Sequence, residues 1–94
     1  MSDDLDLRRR RATYRAAHRG TKELDALIGR YAAARLPAFS IEALEHFERL
    51  LATPDPTLQA WIFAHEDASA TEFFDVVADI RAFHGLDALV KAGS

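Results

Sequence analysis

Apolar residues recur at intervals of three and four along most of this 94-residue chain, and no stretch shows the sustained alternation of a β-strand. Such spacing places apolar side chains on one face of a helix. Glycine or proline interrupts the pattern at Gly20, Pro37, Pro54 and Gly85, where a helix would end. The sequence therefore predicts an all-α protein, a single domain (residues 1–94) formed as a compact bundle of five short helices.

The breaks and the capping residues place the ends of these helices. We expect residues 1–6 to fray and residues 86–94 to form a loose tail. The first two predicted helices are residues 4–19 and residues 22–35. The third is capped by Ser40 and ends before Pro54, and Asp55 and Pro56 begin a short fourth helix. The fifth begins with a capping box of Ser69 and Glu72 and ends at Gly85.

The same periodicity predicts which side chains form the core. Each of the last four helices carries an apolar stripe, whereas the first is the least amphipathic and is expected at the edge of the bundle. The expected inward-facing residues are Leu24, Leu27, Ile28, Tyr31 and Ala34, then Ile41, Leu44, Phe47, Leu50 and Leu51, then Leu58, Trp61, Ile62 and His65, and finally Phe73, Val76, Val77, Ile80 and Phe83.

Composition limits the classes of protein and of site. Hydrophobic residues are 49% and charged residues 29% of the chain, which is typical of a globular protein. The absence of cysteine excludes disulfides, thiolate metal sites and thiol nucleophiles. Residues 1–39 hold nine Lys/Arg and five Asp/Glu, while residues 40–94 hold three and ten, within an overall charge of −3. The molecule is therefore expected to have a basic end and an acidic end.

No targeting or membrane segment is evident. No apolar run approaches the roughly 20 residues that span a bilayer. The first residues are acidic, with Asp3, Asp4 and Asp6, where a secretory or transit peptide would be basic. We expect a soluble protein of the bacterial cytoplasm that does not associate with membranes and is a monomer when alone.

The residues that usually carry catalysis or bind metals show no suitable pattern. No two histidines stand four apart on a predicted helix, and the serines lie at termini or capping positions. The glycines are too scattered for a dinucleotide or phosphate loop, so the chain has no FAD-binding motif of its own. We expect no metal site, no catalytic residue and no enzyme activity. The histidines are His18, His46, His65 and His84.

One junction between predicted helices is unusually polar. The segment from His18 to Asp25 contains a glycine and four charged side chains. An ordinary helix–glycine–helix turn accounts for it if Gly20 takes a positive φ, Arg19 is solvated and Glu23 complements the dipole of the next helix. In the alternative interpretation, Arg19 and Glu23 flank an exposed backbone surface that a partner approaches.

Further signals follow this junction in a fixed order. The segment Arg19-Gly20-Thr21-Lys22-Glu23-Leu24-Asp25 precedes a leucine-rich helix, the turn Pro54-Asp55-Pro56-Thr57-Leu58 and then Trp61. In these motifs residues 8 to 84 resemble the succinate dehydrogenase assembly factor family, small flavinylation factors that help attach FAD covalently to the flavoprotein subunit. Many relatives carry a bulky apolar residue after the glycine, whereas this chain has Thr21.

The resemblance implies an assembly chaperone that binds the flavoprotein subunit of succinate dehydrogenase or fumarate reductase and promotes covalent attachment of FAD, without stably holding FAD itself. Arg19 would bind a carboxylate or backbone carbonyls of the partner, Glu23 would accept from an arginine or an amide, and Gly20 would permit close approach. The expected partner-binding residues are Arg19, Gly20 and Glu23 at the centre, with His18, Lys22 and Asp25 around them.

The arginine-rich first helix offers an alternative function. Arg8 to Arg11 form a cationic run that suits a small nucleic-acid-binding or general protein-interaction module. Asp3, Asp4 and Asp6 lie beside it, and no aromatic-rich reading surface accompanies it. Nucleic acid is therefore not the expected partner.

Overall fold

The computed structural model describes residues 2–63 and 67–86, with side chains from Asp4 onward. These residues form helices, a 3-10 turn and connecting loops, and they contain no β-strand. The all-α prediction is confirmed, as are its five α-helices within the described ranges. The elements are α1 (Ser2–Ala17), α2 (Lys22–Arg35), a 3-10 turn (Leu36–Ala38), α3 (Ile41–Leu51), α4 (Asp55–Ile62) and α5 (Phe74–Phe83).

Two helix starts follow from side-chain caps. Ser40 Oγ accepts a hydrogen bond of 3.1 Å from the Ala43 N–H, as predicted for α3. Thr21 Oγ1 accepts one of 3.2 Å from the Leu24 N–H and caps α2 in the same way. The bounds predicted for α2 are confirmed at both ends.

The start predicted for α5 is wrong. Ser69 donates its Oγ–H and its backbone N–H to Asp67, at 2.7 and 2.9 Å, and no side chain caps the helix that follows. The helix instead begins at Phe74. Its predicted stop is confirmed, because Gly85 takes a φ of 72° just after the helix ends.

The first helix also differs from expectation at its ends. It stops at Ala17 and not at residue 19, because Arg19 is drawn into hydrogen bonds outside the helix. Residues 2–6, for which we expected fraying, belong to α1. Residues 87–94 of the expected tail, and His65, lie outside the described residues.

Residues 1–55 form one compact unit, in which α1 packs against α2 and α3. Gly29 of α2 allows close packing there, because a Cβ at this position would lie 2.9 Å from the Cα of Ala17. Tyr31, Phe39 and Phe47 form an aromatic cluster with ring centroids 6.0 to 6.5 Å apart. The fully buried large side chains of this unit are Leu24, Ile28, Tyr31, Leu36, Leu44, Phe47 and Leu50.

The described residues from Pro56 onward form a second compact unit. Arg81 of α5 donates to the carbonyl oxygen of Ile62, the last residue of α4. Trp61 is half-buried, with its ring 6.1 Å from that of Phe73. The buried apolar side chains here are Leu58, Ile62, Ala68, Val76, Val77 and Ile80.

Most of the core prediction is confirmed, with exceptions near helix ends. Ile41 is the first residue of α3 and Phe83 the last of α5, and both are exposed. A terminal helical position has a neighbouring turn on one side only, so its apolar side chain is less covered. Ala34, next to the last residue of α2, is exposed as well.

Candidate partner-binding site

Residues 18–25, which we call the α1–α2 junction, are held by bonds within the junction. Thr21 caps α2, and its carbonyl oxygen accepts a hydrogen bond of 2.9 Å from the Asp25 N–H. The Asp25 carboxylate in turn accepts from the backbone N–H of Arg19. Asp25 is half-buried, so it stabilises the junction from within.

The Arg19 side chain leaves the junction and binds the turn between α3 and α4. Its Nη2 lies 2.7 Å from Asp55 Oδ1 and donates to the Thr53 carbonyl oxygen at 2.7 Å, while Nε donates to Asp55 Oδ1 at 2.9 Å. Nη1 donates to the carbonyl oxygen of Leu51, the last residue of α3. Because the last carbonyls of a helix have no partner within it, Arg19 satisfies the end of α3 and holds the start of α4.

This geometry does not fit the ordinary-turn interpretation, in which Arg19 is solvated. Only 12% of its side chain is exposed, and every guanidinium nitrogen donates to an acceptor in the same chain. The carboxylate and carbonyl groups expected from a partner are supplied by the chain itself. Sequence reasoning noted Asp55 as a turn residue but not as the partner of Arg19, because local patterns do not pair residues 36 positions apart.

Gly20 is exposed, but the reason for a glycine differs from the one expected. Its φ is not positive, whereas the ordinary-turn interpretation required a positive one; the chain turns with an extended Thr21, at φ −128° and ψ 148°. A Cβ at Gly20 would lie 2.6 Å from Oδ2 of Asp55. The glycine therefore leaves room for the carboxylate that Arg19 binds.

Other side chains of the junction face solvent. Lys22 and Glu23 are exposed, and neither side chain forms a hydrogen bond or ion pair with the part of the chain that the structure describes. His18 is also exposed; its ring stacks on that of Tyr14, with centroids 3.9 Å apart and planes 18° apart. The His18–Tyr14 contact was missed in the sequence, although its spacing of four residues is a helical contact spacing.

The junction thus brings the predicted site residues together but divides them by task. Arg19 and Asp25 make bonds inside the chain, Gly20 makes room for Asp55, and His18, Lys22 and Glu23 face solvent. Glu23, in the first turn of α2, is the exposed carboxylate of this surface. A carboxylate in that position can accept hydrogen bonds from a guanidinium or from backbone amides of another molecule.

The described residues offer neither a metal-binding cluster nor a membrane-spanning helix. Residues 2–63 and 67–86 contain no group of three or more His, Cys, Asp or Glu side chains placed to hold a metal ion. Within the same ranges, every helix is too short or too polar to cross a bilayer.

Comparison with known proteins gives a consistent set of relatives. Residues 10–84 match the family described as "Flavinator of succinate dehydrogenase". The FAD assembly factor SdhE of Acetobacter pasteurianus is 46% identical over 61 residues, covering 65% of this chain and 56% of that protein. The FAD assembly factor SdhE of Legionella pneumophila (strain Paris) is 35% identical over 63 residues, covering 67% of this chain and 78% of that protein.

A mitochondrial relative is more distant. The succinate dehydrogenase assembly factor 2 of Debaryomyces hansenii is 33% identical over 67 residues, covering 71% of this chain and 47% of that protein. The chain thus spans about half the length of the Acetobacter and Debaryomyces relatives. No solved structure matches significantly.

The matched region contains the whole α1–α2 junction and the α3–α4 turn to which Arg19 binds. It covers most of the chain and confirms the resemblance seen in the Arg19-Gly20 and Asp55-Pro56 motifs. This chain belongs to the Sdh5 family, the flavinators of succinate dehydrogenase.

Proposed function

We propose that this protein is an assembly factor that binds the flavoprotein subunit of succinate dehydrogenase or fumarate reductase and promotes the covalent attachment of FAD to it. Family membership supports the general role. The location of the binding site is supported by one observation. The exposed carboxylate of Glu23 has no partner among the described residues, although it lies on a junction fixed by internal bonds.

The surface around Glu23 suits close approach by another protein. Gly20 has no side chain and Thr21 has a small one that is occupied in capping α2. Arg19 and Asp25 hold the backbone on either side, so the surface is ordered before a partner arrives. A preorganised surface loses less conformational entropy on binding.

We propose a positional and not a catalytic role for the chain. The flavin supplies the chemistry of attachment when it is bound to the flavoprotein subunit. Glu23 and its neighbours would hold that subunit so that the flavin and the residue that attaches to it stay in a near-attack geometry. This lowers the entropic part of the activation free energy of attachment. The chain itself then needs neither a catalytic residue nor a resident cofactor.

Deletion of the gene tests this function. The flavoprotein subunit is expected to remain present but to carry much less covalently bound flavin, measured as in-gel flavin fluorescence after denaturation. A plasmid copy is expected to restore it. Normal covalent flavin in a deletion strain that has no second assembly factor would contradict the proposal.

The cofactor part of the proposal has a separate test. The purified protein is expected to be colourless, because the chain has no phosphate-binding loop. Its visible absorption spectrum is the measurement. A yellow protein with one tightly bound flavin per chain would place the cofactor in this protein and not in its partner.

A further inference from the structure

The arginine run on α1 divides into side chains bound within the chain and side chains that are not. Arg8 Nη2 donates to Glu48 Oε1 at 2.6 Å, and this bond raises the pKa of the Arg8 guanidinium. Arg9 donates to Asp6 Oδ1 at 3.0 Å and to the Phe39 carbonyl oxygen at 2.6 Å. Among the described residues, the side chains of three exposed arginines of α1 make no hydrogen bond or ion pair: Arg10, Arg11 and Arg15.

These three arginines share one face of α1 with exposed apolar and aromatic groups. Leu7 is 43% and Tyr14 65% exposed. The spacing of three and four residues places all of them on the side of the helix that faces solvent. We call this face the α1 stripe; it consists of Leu7, Arg10, Arg11, Tyr14, Arg15 and His18.

An open groove runs beside the α1 stripe. Its volume is about 560 Å³ and its exposed surface is mostly apolar, with Asp6, Arg9, Arg10, Thr13 and Tyr14 on its α1 side. Ala33 of α2 and Pro37 of the 3-10 turn line the other side. The groove can therefore accept an apolar side chain from a molecule whose acidic groups contact Arg10.

We propose that the α1 stripe binds an acidic segment of the flavoprotein subunit, extending the contact made by the α1–α2 junction. This inference rests on the function proposed above. Unpaired guanidinium groups attract carboxylates and bind them in a bidentate geometry. The stripe is continuous with the junction, because His18 belongs to both and stacks on Tyr14.

An acidic protein segment fits better than the polyanions that also bind arginine. Three arginines within two helical turns make a small footprint for a nucleic-acid backbone, whose binding grows with the number of phosphates neutralised. A membrane-binding helix needs a broader exposed apolar face than Leu7 and Tyr14 supply.

Charge reversal on the stripe tests the proposal. The variant Arg10→Glu/Arg15→Glu is compared with Arg30→Glu/Arg49→Glu, which changes the net charge equally at exposed arginines of α2 and α3. The measurement is affinity for the purified flavoprotein subunit from about 50 to 300 mM salt. The stripe variant is expected to bind at least about tenfold more weakly at low salt and to show a weaker salt dependence, and the control to stay within about twofold of wild type.

Further variants distinguish failure of the stripe proposal from failure of the proposed function. Arg10→Gln/Arg15→Gln is expected to weaken binding less, and circular dichroism checks that each variant folds. If Glu23→Ala loses binding while the stripe variant binds as wild type, the stripe is overturned and the proposed function stands. Equal weakening by both double variants also overturns the stripe.

The remaining outcomes concern other partners and the proposed function. Binding of the wild-type protein to a duplex of about 30 base pairs and to phosphatidylglycerol vesicles is measured as well. If the stripe variant loses such binding but keeps its affinity for the flavoprotein subunit, the stripe binds that polyanion and the proposal is overturned. Failure of the wild-type protein to bind the flavoprotein subunit would overturn the proposed function together with this inference.

Discussion

Arg19 and Asp55 are 36 positions apart in the sequence, and an ion pair of 2.7 Å joins Arg19 Nη2 to Asp55 Oδ1. Gly20 lies against the other oxygen of the same carboxylate. The Arg-Gly motif and the Asp-Pro motif are thus two halves of one contact that fixes the α1–α2 junction to the α3–α4 turn. In this structure the Arg19 side chain holds the junction in place through bonds within the chain and is 12% exposed.

Removal of either partner of this ion pair is expected to destabilise the fold. Arg19→Met leaves the Leu51 and Thr53 carbonyls and the Asp55 carboxylate without their donor, at a cost of about 2–4 kcal/mol. Asp55→Asn is expected to cost less, because the two carbonyl bonds remain. Urea unfolding of both variants and of the double variant measures the coupling free energy. Additivity within about 0.5 kcal/mol would show that the pair is not coupled.

Gly20→Ala is expected to destabilise the protein through Asp55. The new methyl group would lie 2.6 Å from Asp55 Oδ2 and displace the carboxylate that Arg19 binds. We expect a loss of about 1 kcal/mol, which falls to near zero when the same change is made in an Asp55→Ala background. Equal costs in both backgrounds would mean that Gly20 serves another purpose.

Asp25 and Glu23 carry the same charge in the first turn of α2, but different effects on stability are expected. Asp25→Ala removes the acceptor of the Arg19 N–H and is expected to cost about 1–2 kcal/mol. Glu23→Ala removes only a favourable interaction with the helix dipole, which is worth well under about 1 kcal/mol. Thermal unfolding of both variants distinguishes them. An unfolded or insoluble Glu23→Ala protein would show that Glu23 is structural.

Acid sensitivity is expected at Asp67. Hydrogen bonds from the Ser69 hydroxyl, and then from the Ser69 N–H, lower the pKa of its carboxyl group. Because the pKa is lower in the folded state, this contribution to stability is present above the unfolded pKa of about 3.9 and is lost as the pH falls through the folded value. Ser69→Ala is expected to move the pKa back towards its ordinary value in a carboxyl NMR titration. An unchanged pKa would exclude the hydroxyl as the cause.

The fold could be predicted from sequence wherever local patterns decide the structure. The bounds of α2 follow from its apolar stripe and Pro37, and the start of α3 follows from Ser40. The capping box failed because Ser69 forms a local turn with Asp67, donating its N–H and Oγ–H to that carboxylate, and the helix begins only at Phe74.

The candidate site was predictable only in part for a related reason. The motif identified the junction and the exposed Glu23, which depend on neighbouring residues. The burial of Arg19 and the need for Gly20 depend on Asp55, which only the folded chain brings near them. A local sequence pattern does not show that Asp55 lies close to Arg19 and Gly20 in space.

Complementation of the deletion strain with Glu23→Ala tests the central claim most directly. Glu42→Ala is the matched control, because Glu42 is also exposed and also occupies the second position of a helix capped by a hydroxyl side chain. The measurement is covalent flavin on the flavoprotein subunit, with equal amounts of each variant present. We expect Glu42→Ala to restore flavin to the wild-type level and Glu23→Ala to leave it near the level of the deletion strain. Full restoration by Glu23→Ala would contradict the account.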